Sequence, residues 1–175
     1  MKLISPVDSF HINSCWGPRN VGGGASRYHR GLDLRAKSGT ITRAPKSGLV
    51  KTAAFKNNSC GGTIIIEHGP TSVIGGNMTT SYCHMKEIFV KEGQYVFKGE
   101  EIGLTGGGSR DKGKGNSLGA HLHFGVKKDG KFIDPEPHFK AGILRRSIAI
   151  QASQIALVSL GVGAIIYITL RLTMK

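Results

Sequence analysis

Short β-branched runs broken by glycine constrain the fold of this chain more than any other feature. Ile41-Thr42, Leu49-Val50, Thr63 to Ile66, Val73-Ile74 and Ile88-Phe89-Val90 recur between clusters of Gly, Asn and Ser. Runs of this kind, bounded by turn formers, read as strands joined by tight turns. The chain holds 26 glycines in 175 residues, and helix-favouring runs are scarce before residue 140. The expected fold is therefore mainly β: antiparallel sheet with Gly-rich loops over residues 1–140, and little helix.

One of the expected strands carries chemistry. Successive side chains of a strand point to opposite faces, so His121 and His123 would project together while Leu122 turns into the core. Earlier in the chain, His29 and Asp33 add an imidazole and a carboxylate. Imidazole with carboxylate is a donor set that suits zinc. Three such ligands with a spare histidine make a catalytic site with an open metal position. A spare imidazole can take a proton from an attacking water and pass it to a leaving amine. A further one can stabilise a developing oxyanion. A His-x-His pair by itself also fits an exposed polar strand face, so the surrounding residues decide.

Those surroundings are ordered blocks: Ser5-Pro6-Val7; Trp16-Gly17-Pro18-Arg19; Tyr28-His29-Arg30-Gly31-Leu32-Asp33-Leu34; and Ala44-x-x-x-Gly48-x-Val50. Ile64-Ile65-Ile66-Glu67-His68-Gly69 and Tyr82-Cys83-His84-Met85 follow. Then come the run from Val90 to Gly106, Gly119-Ala120-His121-Leu122-His123-Phe124, and Asp134-Pro135. In this order, over roughly residues 5–137, the chain resembles the lysostaphin-type (LytM-like) zinc peptidases that cleave peptidoglycan. The resemblance implies that His29, Asp33 and His123 bind Zn²⁺. It implies that His121 is the general base or acid, and that His84 is a second catalytic histidine stabilising developing charge. Two positions depart from the family's habit: Ala120 stands where proline is usual, and Cys83 where a small residue precedes the catalytic histidine. These departures bear on substrate fit and remove no ligand. The function implied is zinc endopeptidase action on peptidoglycan cross-bridges. The alternative is an inactive peptidase-like protein that binds cell wall or serves a structural role at a membrane.

The remaining histidines carry no expected metal role. His68 reads as a hydrogen-bonded turn residue, and His11 and His138 as structural or exposed. Three cysteines, Cys15, Cys60 and Cys83, make no disulfide framework by spacing. Cys15 with Cys60 is one possible pair, and Cys83 is expected as a packed or partly exposed thiol facing away from His84. The stretch from Gly106 to Gly119 is flexible by composition. Its Arg110, Lys112 and Lys114 can meet an acidic substrate, with Gly22-Gly23-Gly24 as an opposite rim. It lacks the Gly-x-x-x-x-Gly-Lys-Ser/Thr order of a phosphate loop.

The formal net charge of +13 implies an anionic partner: cell wall, anionic lipid or nucleic acid. Nucleic acid is not expected, because the basic residues are scattered and no nucleic-acid motif occurs. Residues 147–170 carry no charge, and roughly 20 apolar residues span a bilayer. Arg145, Arg146, Arg171 and Lys175 bracket the run as interfacial anchors do. The expected organisation is a peptidase domain over 1–140, a linker over 141–146, a transmembrane helix over 147–170 and a basic tail over 171–175. Ala152-x-x-x-Ala156 and Ser159-x-x-x-Gly163 offer faces for helix-mediated self-association. The opening residues Met1 to Asp8 show no apolar signal core. Peptidoglycan lies outside the cytoplasm, so the expected location is the membrane of a lipid-containing phage particle that presents the enzyme to the wall. The bacterial cytoplasmic membrane is the other option.

Overall fold

The computed structural model describes residues 2–20, 26–70 and 76–139. The compact unit is Met1–Lys140. The linker, the uncharged run over 147–170, its self-association faces, the basic tail, Gly22 to Gly24 and Val73-Ile74 all lie outside the described residues. Among the described residues no helix is long and apolar enough to cross a membrane.

In chain order the strands are β1 (Ile12–Ser14), β2 (Gly17–Pro18), β3 (Tyr28–His29), β4 (Leu32–Leu34), β5 (Ile41–Arg43), β6 (Gly48–Phe55) and β7 (Gly62–Pro70). They continue with β8 (Asn77–Cys83), β9 (Met85–Ile88), β10 (Tyr95–Val96), β11 (Glu101–Thr105), β12 (Leu122–Lys128) and β13 (Lys131–Ile133). The single helical turn among the described residues is a 3₁₀ segment, Glu136–His138. The main sheet runs β1-β4-β12-β8-β7-β6-β10, with β13 beside β12. A three-stranded sheet, β5-β11-β9, and the small β2-β3 ribbon complete the fold. Every pairing among these strands is antiparallel.

Alternation along β4 and β12 explains why the sheet presents a functional face. Leu32, Leu34, Leu122, Phe124 and Val126 are fully buried, while Asp33 and His123 fall between them. Burying side chains of that size removes apolar surface from water at about 25 cal/mol per Å² and locks the register. In that register His123 faces Asp33 on one side and Cys83 on the other. Asp33, His123 and Cys83 therefore form one row across three strands, on the face away from the core.

Three expectations are corrected. Cys83 is not a free thiol: it is bonded to Cys60, with Cα atoms 4.8 Å apart, and Cys15 is the free, exposed cysteine. His121 lies just before β12 and is held by a bridge to Gly106, so only His123 is a strand residue. His68 sits inside β7 rather than in a turn. Its Nδ1–H donates to the Ser47 carbonyl (3.0 Å), and Nε2 accepts from the Thr80 hydroxyl (2.7 Å).

Candidate metal centre

His29, on β3, is buried, and its Nδ1–H donates to the Cys15 carbonyl at 2.8 Å. That bond leaves Nε2 as a lone pair. Nε2 lies 3.0 Å from Asp33 Oδ1 and 3.0 Å from His123 Nδ1. His123 Nδ1 is in turn 3.0 Å from the same oxygen. His29 Nε2 and Asp33 Oδ1 are both acceptors, and two acceptors at that separation repel unless a cation lies between them. The donor atoms of His29, Asp33 and His123 all fall within 4.8 Å of one another. Two imidazoles and one carboxylate fit Zn²⁺, with room for substrate at a fourth position.

The supports around these three are as specific as the donors. Arg19 Nη1 takes Asp33 Oδ2 at 3.2 Å and also donates to Ser14 Oγ. Only Oδ1 is left to face the histidines. Partners of this kind orient ligands and tune their basicity. Gly31 lies under the His123 ring: a Cβ there would sit 2.9 Å from ring atoms and 2.6 Å from the Phe124 carbonyl oxygen. Burial pushes the Asp33 carboxyl up, but the imidazoles of His121, His123 and His29 around it outweigh burial and hold the group well below the usual carboxylate range.

His121 and His84 complete the cluster. His121 Nδ1–H donates to the Gly119 carbonyl (2.8 Å), which leaves Nε2 as an acceptor 3.5 Å from Asp33 Oδ1. Burial lowers the His121 pKa, yet Asp33 and the Gly119 carbonyl carry it above its ordinary value. The His84 ring lies 4.7 Å from His121 and 6.2 Å from His123, centroid to centroid. His84 leaves β8 in the left-handed region, at φ 64°. That kink turns its ring into the site instead of away from Cys83, as a continuing strand would have done. Burial, reinforced by His121 and His123, lowers its pKa to about 4, so its ring is neutral at neutral pH. Its Nδ1 is buried and has no hydrogen-bond partner among the described residues.

Four of the five histidine and aspartate positions singled out in the sequence, Asp33, His84, His121 and His123, line one cleft of about 500 Å³, and the buried His29 reaches the same Asp33 oxygen with its Nε2. Sequence reasoning gave no role to Arg19, Ser14 or Ser117. Ser117 Oγ is 3.2 Å from His121 Nδ1 and donates to the Gly119 carbonyl. It is the centre of Gly115-Asn116-Ser117-Leu118-Gly119, an order that marks a serine nucleophile where it turns a strand into a helix. Here it lies in a loop with no helix after it, and the hydroxyl is buried. Ser117 is therefore a support for His121. The glycine-rich loop itself is held by Asp111, whose carboxylate accepts from Gly108 N–H and the Ser38 hydroxyl.

Comparison with known proteins gives the same answer as the geometry. The peptidoglycan DD-endopeptidase ShyA of Vibrio cholerae is 33% identical over 132 residues, covering 74% of this chain and 28% of that protein. The catalytic domain of lysostaphin from Staphylococcus simulans superposes with a TM-score of 0.60 at 27% identity, over 73% of this chain and 90% of that one. A zinc-containing peptidase from Vibrio cholerae superposes with a TM-score of 0.62 at 27% identity, over 77% of this chain and 39% of that one. The chain spans less than a third of the length of the curated relatives it matches. Residues 27–135 match Peptidase family M23, and on that span, which contains every residue of the cluster, the chain belongs to that family of zinc metalloenzymes.

Proposed function

We propose that this protein is a zinc endopeptidase that hydrolyses peptide cross-bridges of bacterial peptidoglycan. The observation that carries the reading is the convergence of His29 Nε2, Asp33 Oδ1 and His123 Nδ1, with His121 Nε2 free on the same side. A scaffold that only bound cell wall would need neither a ligand trio nor a spare base. The support for peptidoglycan as substrate is the similarity to ShyA and lysostaphin.

His29, Asp33 and His123 would hold the metal. Zinc bound there supplies Lewis-acid polarisation of the scissile carbonyl. His121 accepts the proton of the attacking water at Nε2, because Nδ1 is committed to Gly119, and delivers it to the leaving amine. His84 remains neutral, and its ring, packed against that of His121, stands where it can stabilise charge developing on the carbonyl oxygen. Arg19 keeps Asp33 on one oxygen.

The test is to incubate the full chain with purified wall. New amine termini should appear, stop on addition of chelator and return with zinc. Wall binding without any new amine would reverse the reading in favour of an inactive wall-binding protein. From sequence alone we further propose that residues 147–170 tether the enzyme to a membrane, a phage particle's own membrane being the setting that would bring it to the wall. The support is the uncharged run and the flanking Arg145, Arg146 and Arg171. The full chain should then resist salt and alkaline extraction from membranes. Release by salt alone would reject the tether.

A further inference from the structure

We propose that the Cys60–Cys83 disulfide is a positioning clamp: it holds His84 and the Gly106-to-Gly119 loop in working order, and its reduction disarms hydrolysis without releasing the metal. The proposal rests on the peptidase reading above. Cys83 occupies the row that contains Asp33 and His123, directly opposite His123 in the register. Cys60 lies in the turn between β6 and β7, and both half-cystines line the active cleft beside His84, His121 and Asn116. The bond thus ties that turn to the end of β8, the strand paired with β12.

The turn is where the active-site loop docks. Asn116 N–H donates to the Ser59 carbonyl (3.0 Å), and Gly62 N–H donates to the Gly113 carbonyl (2.9 Å). His84 N–H donates to the Cys60 carbonyl (2.8 Å), which fixes the left-handed kink that aims its ring. From the docked loop, the Lys114 carbonyl lies against the His84 ring, and Ser117 Oγ and the Gly119 carbonyl hold His121. One covalent bond therefore anchors the supports of both histidines outside the ligand trio. The supports of the ligands are separate. His29 bonds to Cys15, His123 to Asp33, and Asp33 to Arg19, none of which belongs to the turn or the loop. Loss of the clamp should disturb proton transfer and leave zinc in place.

The chemistry balances with a phosphine as reductant. The phosphine attacks one sulfur, the S–S bond breaks, and water hydrolyses the sulfur–phosphorus adduct. Phosphine oxide and two thiols result, a two-electron exchange. Formation runs the other way, with an oxidised dithiol carrier taking two electrons and two protons from Cys60 and Cys83. Such carriers work where disulfides persist, outside reducing cytosol, so the enzyme would become competent in the compartment that holds its substrate.

The experiment uses the zinc-loaded full chain before and after phosphine treatment. Titratable thiols should rise from the one at Cys15 to three. Hydrolysis should show kcat lowered by roughly 10- to 100-fold, the scale of a misplaced catalytic group, with KM far less affected. Bound zinc should stay unchanged, and reoxidation should restore the rate. Cys60→Ser/Cys83→Ser should behave as the reduced protein does. Gly115→Ala tests the route with the disulfide intact, because a Cβ there would sit 2.3 Å from the Ser59 carbonyl oxygen and lift the loop from the turn. It should lower kcat in the same way. Full kcat with three free thiols, zinc lost in parallel with activity, or full kcat in Gly115→Ala would each overturn the clamp. If the untreated oxidised protein releases no amine from wall, the peptidase reading itself fails and the clamp falls with it.

Discussion

His121 and His123 stand two residues apart and reach the same carboxylate oxygen, yet their hydrogen bonds divide their work. His123 turns Nδ1 to Asp33 at 3.0 Å, close against His29. His121 spends Nδ1 on a backbone carbonyl and leaves Nε2 at 3.5 Å. His123→Ala should therefore lose both bound zinc and activity, because three ligands leave no redundancy. His121→Ala should keep its zinc and lose roughly 10²- to 10⁴-fold in kcat, the usual worth of a positioned base. Metal analysis beside a hydrolysis assay separates the two, and zinc lost from His121→Ala but kept by His123→Ala would exchange their roles. The candidates, though not their roles, were legible in the residues themselves, since imidazole and carboxylate announce their chemistry wherever they occur. Arg19 was not, although it stands in the Trp16-Gly17-Pro18-Arg19 block: the need to occupy the second oxygen of Asp33 exists only once the chain has folded. The cysteine pairing was hidden for the same reason. Cys60 and Cys83 are 23 residues apart, and only the β7-β8 hairpin brings their Cα atoms within bonding distance.

Strands were the most legible elements, because period-2 burial is written in the side chains. Ile41-Thr42, Leu49-Val50 and Thr63 to Ile66 fall in β5, β6 and β7 as expected. Their boundaries were less so. Val90 lies beyond the end of β9, and β8 breaks at a left-handed His84, a conformation that histidine does not advertise as glycine would. His68 was misplaced because Gly69, at φ 65°, looks like a turn but forms an irregularity inside β7. Its true position has a consequence. His68 is 6% exposed, and burial lowers its pKa to about 4, against about 6.5 for an unfolded chain. A histidine depressed in the fold stabilises it fully above the unfolded value and loses that contribution as pH falls through the folded one. The shift is worth on the order of 3 kcal/mol at about 1.4 kcal/mol per pKa unit. Denaturation midpoints should therefore fall between about pH 6.5 and 4, and His68→Gln should flatten part of that slope. An equal slope in the variant would remove His68 from the account.

At the scale of the whole molecule, charge is the property that outlasts any one contact. The net charge of +13 is not consumed by internal pairing. Among the described residues the basic side chains in ion pairs with carboxylates are Arg19, Arg43 and Lys51, and Lys127, Lys112 and Arg30 lie over the aromatic faces of Phe132 and Phe55. Lys140, Arg145, Arg146, Arg171 and Lys175 lie outside the described residues, and the 19 bases against 11 acids that remain leave a net +8 on the described part. Composition revealed its size, but only the fold separates the basic groups spent on neighbours from those that remain. A surface of this sign raises the local concentration of an anionic polymer and speeds encounter with it. Such attraction reaches about 30 Å at 0.01 M salt and about 10 Å at 0.1 M. Hydrolysis of intact wall should thus show KM rising several-fold as salt increases between those limits. Hydrolysis of a short, uncharged cross-bridge peptide should keep both KM and kcat, because Asp33, His121 and His123 lie in the cleft and answer to near neighbours. The comparison of polymer with short peptide isolates the long-range term from any effect of salt on the site. Equal salt dependence for the two substrates would place the effect in the cleft. A KM on intact wall that ignores salt would mean that the basic surface serves solubility, and that substrate is held by the cleft alone.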